Sequence, residues 1–311
     1  MIEPLPAFVG VNLPWHTYGC DFGGNAWFPE GGVGRPEVAG QLDELFTRLA
    51  AAGLRVVRWF LFCDGRAGIR FDPVGVPLGL DSYCFRDVDA ALALAASHRA
   101  TLLFVLFDFT WFRPRRVVNG VELFGRRRVQ VRETSRRALL ERVVVPLLAR
   151  YGREPAILGW DLCNEPEWAA FGYGSVAPWR TIAAGTMSDW LREMASAAHA
   201  EAVQPVTVGL ASRRGLPLVA GCGLDLYQVH WYDRLERRSP LSRPPARELD
   251  RPLLLGEFPT SRSRLTAAEV IAAAREAGYS GALAWSARAH DEHSNLAALE
   301  EALGVTSQTN A

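Results

Sequence analysis

The chain has 311 residues, 49% of them hydrophobic, enough for the core of one α/β barrel, which takes about 250 residues. Its 34 basic residues balance its 34 acidic ones, so no overall charge favours nucleic acid or an anionic membrane. No stretch is long and apolar enough to span a bilayer.

The first predicted strand covers Ala7 to Leu13. The helix after it runs from Glu37 to Ala52, with Leu42, Leu45, Phe46 and Leu49 at helical spacing on one face. Gly53 ends that helix and LRVVRWFLF follows as the second strand. A helix over Asp87 to Ser97 leads to TLLFVLFDF, and a helix over Thr134 to Tyr151 leads to AILGWDLCNE. A long helix from Trp179 to Glu201 precedes PVTVGL. The sixth and seventh strands are LDLYQVHWY and PLLLGEF. A helix over Ala267 to Ala277 separates the seventh from GALAWSA, and a last helix covers Asn295 to Leu303. The connectors around the fifth and sixth strands are rich in Gly, Pro and Arg and carry the weakest helical patterns.

Apolar, β-branched runs that alternate with helical patterns predict a parallel α/β architecture. Eight of them with crossover-length connections predict a single-domain (β/α)8 barrel over residues 1–306, with a flexible tail at 307–311. No glycine-rich turn follows the first strand, so no dinucleotide site is expected. The N-terminus lacks the basic-then-apolar pattern of a secretory signal. The five cysteines have wide spacings and no CxxC pair, which points away from a disulfide framework or a structural zinc site. Both features lead us to expect a cytoplasmic protein. The basic stretches Arg113 to Arg116 and Arg126 to Arg128 read as solvated loop.

Barrel active sites lie at the C-terminal ends of the strands. The residues expected there are Arg58, Asp108, Asn164, Glu165, His230, Tyr232, Glu257 and Trp285. Charged groups are rarely buried without a partner or a task. Strands four and seven lie on opposite sides of a barrel axis, so Glu165 and Glu257 can face each other across one sugar. A retaining glycosidase needs such a pair about 5 Å apart, one a nucleophile and the other an acid that later acts as base. Like charges at that range are expected to raise the pKa of Glu165. The competing readings are ordinary ones. Glu165 and Asn164 could be turn residues beside Pro166, Glu257 a helix-terminal acid, and Arg58 a purely structural ion-pair partner.

These motifs, in this strand order, resemble the large clan of retaining β-glycosidases, and most of all glycoside hydrolase family 5, with its cellulases and β-mannanases. The resemblance runs from GVNLPW to AWSA. It implies Glu165 in GWDLCNEPE as acid/base, Glu257 in LLLGEFP as nucleophile and Asn164 as the donor to a sugar 2-hydroxyl. It implies Arg58 in GLRVVRWF and Tyr232 in VHWYD as supports of Glu257, with His230 reaching the sugar or the acid/base. Trp285 becomes the platform under the sugar at the cleaved bond. The family's usual histidine at the end of strand three is replaced by Asp108, expected either to bind a hydroxyl or to pair with Arg58. Trp15, Trp111 and Trp168 are further subsite candidates, and His16 is a candidate contact to a sugar hydroxyl.

The expected activity is retaining hydrolysis of β-linked glucan or mannan, without cofactor or metal. The alternatives are an exo-acting β-glycosidase or transglycosidase on short oligosaccharides, with a wall supplied by the segment 19–36 or 168–186, and a non-catalytic sugar-binding barrel. A zinc site using His290 and His293 would need a third converging ligand.

Overall fold

The computed structural model describes residues 8–173, 181–233, 236, 241, 249–288 and 291–305. A closed barrel is formed by β1 (Phe8–Leu13), β2 (Val56–Phe60), β3 (Thr101–Asp108), β4 (Ile157–Asn164), β5 (Val206–Leu210), β6 (Tyr227–His230), β7 (Leu253–Pro259) and β8 (Gly281–Trp285). Each strand pairs in parallel with its neighbours in chain order, and β8 closes the ring on β1, with Phe8 opposite Gly281. Parallel strands covered on both faces are apolar nearly throughout. All of β7 is buried, as is all of β3 after its first residue.

Besides a single helical turn at Arg128–Val131, the α-helices among the described residues are α1 (Pro36–Ala51), α2 (Cys84–Ser97), α3 (Glu133–Leu139), α4 (Val145–Tyr151), α5 (Ala184–Glu201), α6 (Leu216–Val219), α7 (Ala267–Glu276) and α8 (Leu296–Ala302). In α1, Pro36 stands at the first turn and Val38, Leu42, Phe46 and Leu49 face the barrel, with Leu45 at the edge of that stripe. Helix α7 starts with a capping box between Thr266 and Glu269. Among the described residues no helix is long and apolar enough to cross a membrane.

Several boundaries differ from expectation for local reasons. Helix α2 begins at Cys84 because the Asp81 side chain accepts from the amides of Tyr83 and Cys84. Asp87, the expected start, is instead buried inside the helix and accepts from the amides of Gly23, Gly32 and Gly34, tying down the loop after β1. The helix expected over Thr134 to Tyr151 is divided by a π-helical turn at Leu140–Val144. Pro146 follows directly and lacks the amide that would continue the α-helical ladder. Helix α5 starts at Ala184, and Trp179 lies outside the described residues. So do the expected tail at 307–311, His290 and part of the segment 168–186.

Two antiparallel hairpins decorate the C-terminal face, Ile69–Phe71 with Pro77–Leu80 and Arg116–Val118 with Val121–Leu123. Arg126, expected in a solvated loop, is buried, paired with Glu122 and stacked 3.7 Å from the Phe71 ring centroid.

Inside the barrel, Leu103, Leu226, Leu254 and Leu283 form an apolar plug with Phe8 and Val56 packed against it. Two residues further along β2 and β6, on the same face, stand Arg58 and Gln228. Here the interior turns polar. Arg58 and Asp161 are completely buried, and Gln228 joins them. A Cβ at Gly209 would come within 2.6 Å of the Gln228 amide and 2.7 Å of the Arg58 guanidinium, so glycine lets this layer close.

Candidate active site

The polar layer is built around Arg58. Its Nε and Nη2 donate to Asp161 Oδ2 at 3.0 and 2.8 Å, Nη2 also donates to Asn164 Oδ1 at 2.8 Å, and Nη1 donates to Glu257 Oε1 at 2.8 Å and to Asn12 Oδ1 at 3.0 Å. Asp161 also accepts from Gln228 Nε2 at 2.7 Å and from the Gly209 amide at 2.9 Å. A buried charge is tolerated when it is paired and its remaining hydrogen-bonding capacity is met, and here it is met from five strands.

Above this layer lies a cleft of about 360 Å³. Glu257, at the end of β7, also accepts from the Tyr232 hydroxyl at 2.9 Å. Glu165 follows β4 with φ +48°, a left-handed conformation that costs a non-glycine residue about 1–2 kcal/mol. Its amide donates to Gly209 O, and its carboxylate meets the Trp168 indole and His230 Nδ1, both at 2.8 Å. One oxygen each of Glu165 and Glu257 and one ring nitrogen of His230 lie within 4.8 Å of one another. These three are close enough to share a metal ion. However, the guanidinium on Glu257 places a fixed positive charge beside any cation, and the hydrogen bonds above already use both carboxylates.

Electrostatically the two glutamates differ. Burial pushes Glu165 up to about 7, against the Trp168 hydrogen bond and the field of Arg58. Desolvation is the largest cause at Glu165, and the expected repulsion between the two carboxylates acts to raise Glu257. Burial raises Glu257 too, as does the neighbouring Glu165, but Arg58 and the Tyr232 hydroxyl pull it down. Among the described residues, Glu257 touches a guanidinium, whereas Glu165 touches the Trp168 indole and a His230 that burial holds down to about 4. If Glu165 acts as an acid it must be protonated, so kcat/KM on an unactivated substrate should fall as pH rises through about 7. A pH–rate profile that stays flat well above neutrality would contradict this assignment.

Asp108 does not pair with Arg58. It accepts from Asn164 Nδ2 at 2.8 Å and from the Thr110 amide at 2.9 Å, and burial raises it to about 6. Asn164 is thereby held from both ends, and its second amide hydrogen remains for a ligand hydroxyl.

Trp15, Trp168 and Trp285 line the cleft as expected. Trp111 does not. The 3-10 turn Phe109–Phe112 carries it back into the core, where it is fully buried, donates to Phe62 O and packs 4.5 Å from Phe107. His16 is also displaced from its expected place. It is half-buried beside Gln41 and Arg288 and does not line the cleft. Sequence reasoning missed Asn12, Gln228 and the cleft residues Tyr18, Phe60 and Asp291, and weighed His293 only as a zinc ligand. Asn12 and Gln228 carried a readable signal, as lone amides inside otherwise apolar strands.

No protein-family profile matches the chain. It is 25% identical to a mannan endo-1,4-β-mannosidase of Mytilus edulis, over 89% of this chain and 82% of that protein. It is 23% identical to an enzyme of the same name from Cryptopygus antarcticus, over 89% and 79%. Among solved structures it is similar to the endo-1,4-β-mannanase of Eisenia fetida, with TM-score 0.80 and 20% identity over 100% of this chain and 94% of that one. The chain is thus a closed (β/α)8 barrel whose sequence is similar to those of mannan endo-1,4-β-mannosidases.

Proposed function

We propose that the chain is a retaining β-glycoside hydrolase acting on β-1,4-linked mannan and its oligosaccharides, with Glu257 as nucleophile and Glu165 as acid/base. The observation that carries this reading is the approach of the two carboxylates to within 4.8 Å, the spacing of double displacement rather than the wider gap that admits a water. The choice of mannan follows the named activities of the Mytilus and Cryptopygus relatives.

In the first step Glu257, aimed by Arg58 and Tyr232, attacks the anomeric carbon while Glu165 protonates the departing oxygen. In the second, Glu165 takes a proton from water as the glycosyl ester opens. Asn164 offers its remaining amide hydrogen to the sugar, and Trp285 supplies an apolar face beneath it. The five free, buried cysteines suit a reducing compartment, and a cytoplasmic enzyme working on short mannosides is the placement we propose.

A 2-fluoromannoside with an activated leaving group should leave its sugar as an ester on Glu257. The first product released from mannan oligosaccharides should carry the β configuration by NMR. A label mapped to Glu165 or Asp108, or a first-formed α anomer, would remove the assignment.

A further inference from the structure

The loop after β8 contributes two cleft residues that the mechanism above leaves without a role, Asp291 and His293. Asp291 Oδ2 accepts from the indole Nε1 of Trp285 at 2.7 Å, and Oδ1 accepts from the His293 amide at 2.8 Å. The His293 ring sits edge-on to Tyr232, with centroids 5.4 Å apart and an interplanar angle of 68°. Tyr232 in turn donates to Glu257. The base of the loop is held to the barrel, because His293 O accepts from the amides of Thr260 and Ser261, and the Thr260 hydroxyl donates to Trp285 O at 2.8 Å.

We propose that Asp291 is a positioning residue that locks the Trp285 indole beneath the reacting sugar and, through the His293 turn, sets the ring of Tyr232 against the nucleophile. The proposal rests on the glycosidase reading of this cleft. A tryptophan side chain has two free torsions, and Trp15 meets Trp285 only edge-on at 6.3 Å. The hydrogen bond to Asp291 therefore fixes the angle of the indole plane. A charge-assisted bond at this length is short and directional. Asp291 is exposed, so its role in the core is small and its removal should leave folding intact.

A platform tilted away from its angle binds substrate nearly as before but fits the flattened transition-state ring less well. The loss should therefore appear in kcat more than in KM. Misplacement of about 1 Å costs up to about 10²-fold. Asp291→Ala should lower kcat on mannopentaose about 10- to 100-fold, with KM changed less than about threefold. Asp291→Asn keeps one oxygen acceptor, enough for the indole N–H but not for the His293 amide as well, and should recover part of the rate.

A cycle with Trp285→Phe separates this role from a merely structural one. Phenylalanine has no N–H to hold, so Asp291→Ala should cost markedly less in the Trp285→Phe background than in the parent, the remainder being what passes through His293 and Tyr232. Full additivity, equal losses for Ala and Asn, or an effect on KM alone would overturn the proposal. A Trp285→Phe enzyme as active as the parent would instead overturn the platform reading beneath it. A parent enzyme with no activity on mannosides would overturn the glycosidase reading itself.

Discussion

Glu165→Ala should lose roughly 10² to 10⁴ in rate on mannan oligosaccharides, because their leaving alkoxide needs a proton in the transition state. The same variant should cleave a dinitrophenyl β-mannoside with much less loss in the first step, since that phenolate departs without help. Turnover should then stall at the glycosyl ester, for no general base remains to activate water. Azide attacks without giving up a proton. It should restore turnover on the activated substrate and yield the β-mannosyl azide. The alkaline fall of the parent enzyme near pH 7, assigned to Glu165, should vanish from kcat/KM on the activated substrate. The Trp168 indole donates to this carboxyl and His230 Nδ1 lies 2.8 Å from it, so a folded variant is verified by circular dichroism before the rates are compared. Equal losses on both substrates without azide rescue would exclude Glu165 as acid/base. Asp161 could not replace it, since it is fully buried and committed to Arg58.

Arg58→Met should damage stability and chemistry together. The guanidinium is the cation paired with both Asp161 and Glu257, and all three lie at or near zero exposure. An exposed pair such as Arg48 with Glu300 contributes at most about 1 kcal/mol. Removing one partner of a buried pair leaves an uncompensated charge and costs about 3–5 kcal/mol. Tm should drop on the order of 10 °C for a domain of this size. The chemical consequence has a definite sign. Arg58 pulls the Glu257 carboxyl down, so its loss raises that pKa and leaves less ionised nucleophile at a given pH. The acidic limb of kcat/KM should move to higher pH, and the yield of trapped 2-fluoroglycosyl ester should fall. Arg58→Lys keeps one charge but has no fork to span Asp161, Asn164 and Glu257 at once, so it should recover part of the stability and little of the rate. A variant with parental Tm and an unmoved acidic limb would show that Arg58 does not hold this site.

The amino-acid sequence determined the order of strands and the identity of the facing glutamates, because both are written in local terms. Parallel barrel strands must be apolar along their length, so a strand such as LLLGEFP announces both itself and the polar residue that interrupts it. Helix ends were less legible, since a side-chain cap such as Asp81 or a π turn before Pro146 acts through one or two atoms rather than a periodic pattern. The two readings of Arg58, structural bridge or partner of Glu257, are geometrically compatible, because one guanidinium reaches both Asp161 and Glu257.

What only the tertiary structure decided is which side chains share a space. Trp111 follows a barrel strand just as a subsite residue would, yet a single 3-10 turn sends it into the core. Asp108 looked available to Arg58 and is held by Asn164 instead. Asn12, Asp161, Gln228 and Arg58 come from four different strands, and their meeting depends on the stagger of the closed ring. Burial, too, is a property of the assembled barrel. It raises Glu165 through desolvation by residues distant in the chain, and no spacing within GWDLCNEPE encodes how much water that carboxyl will lose.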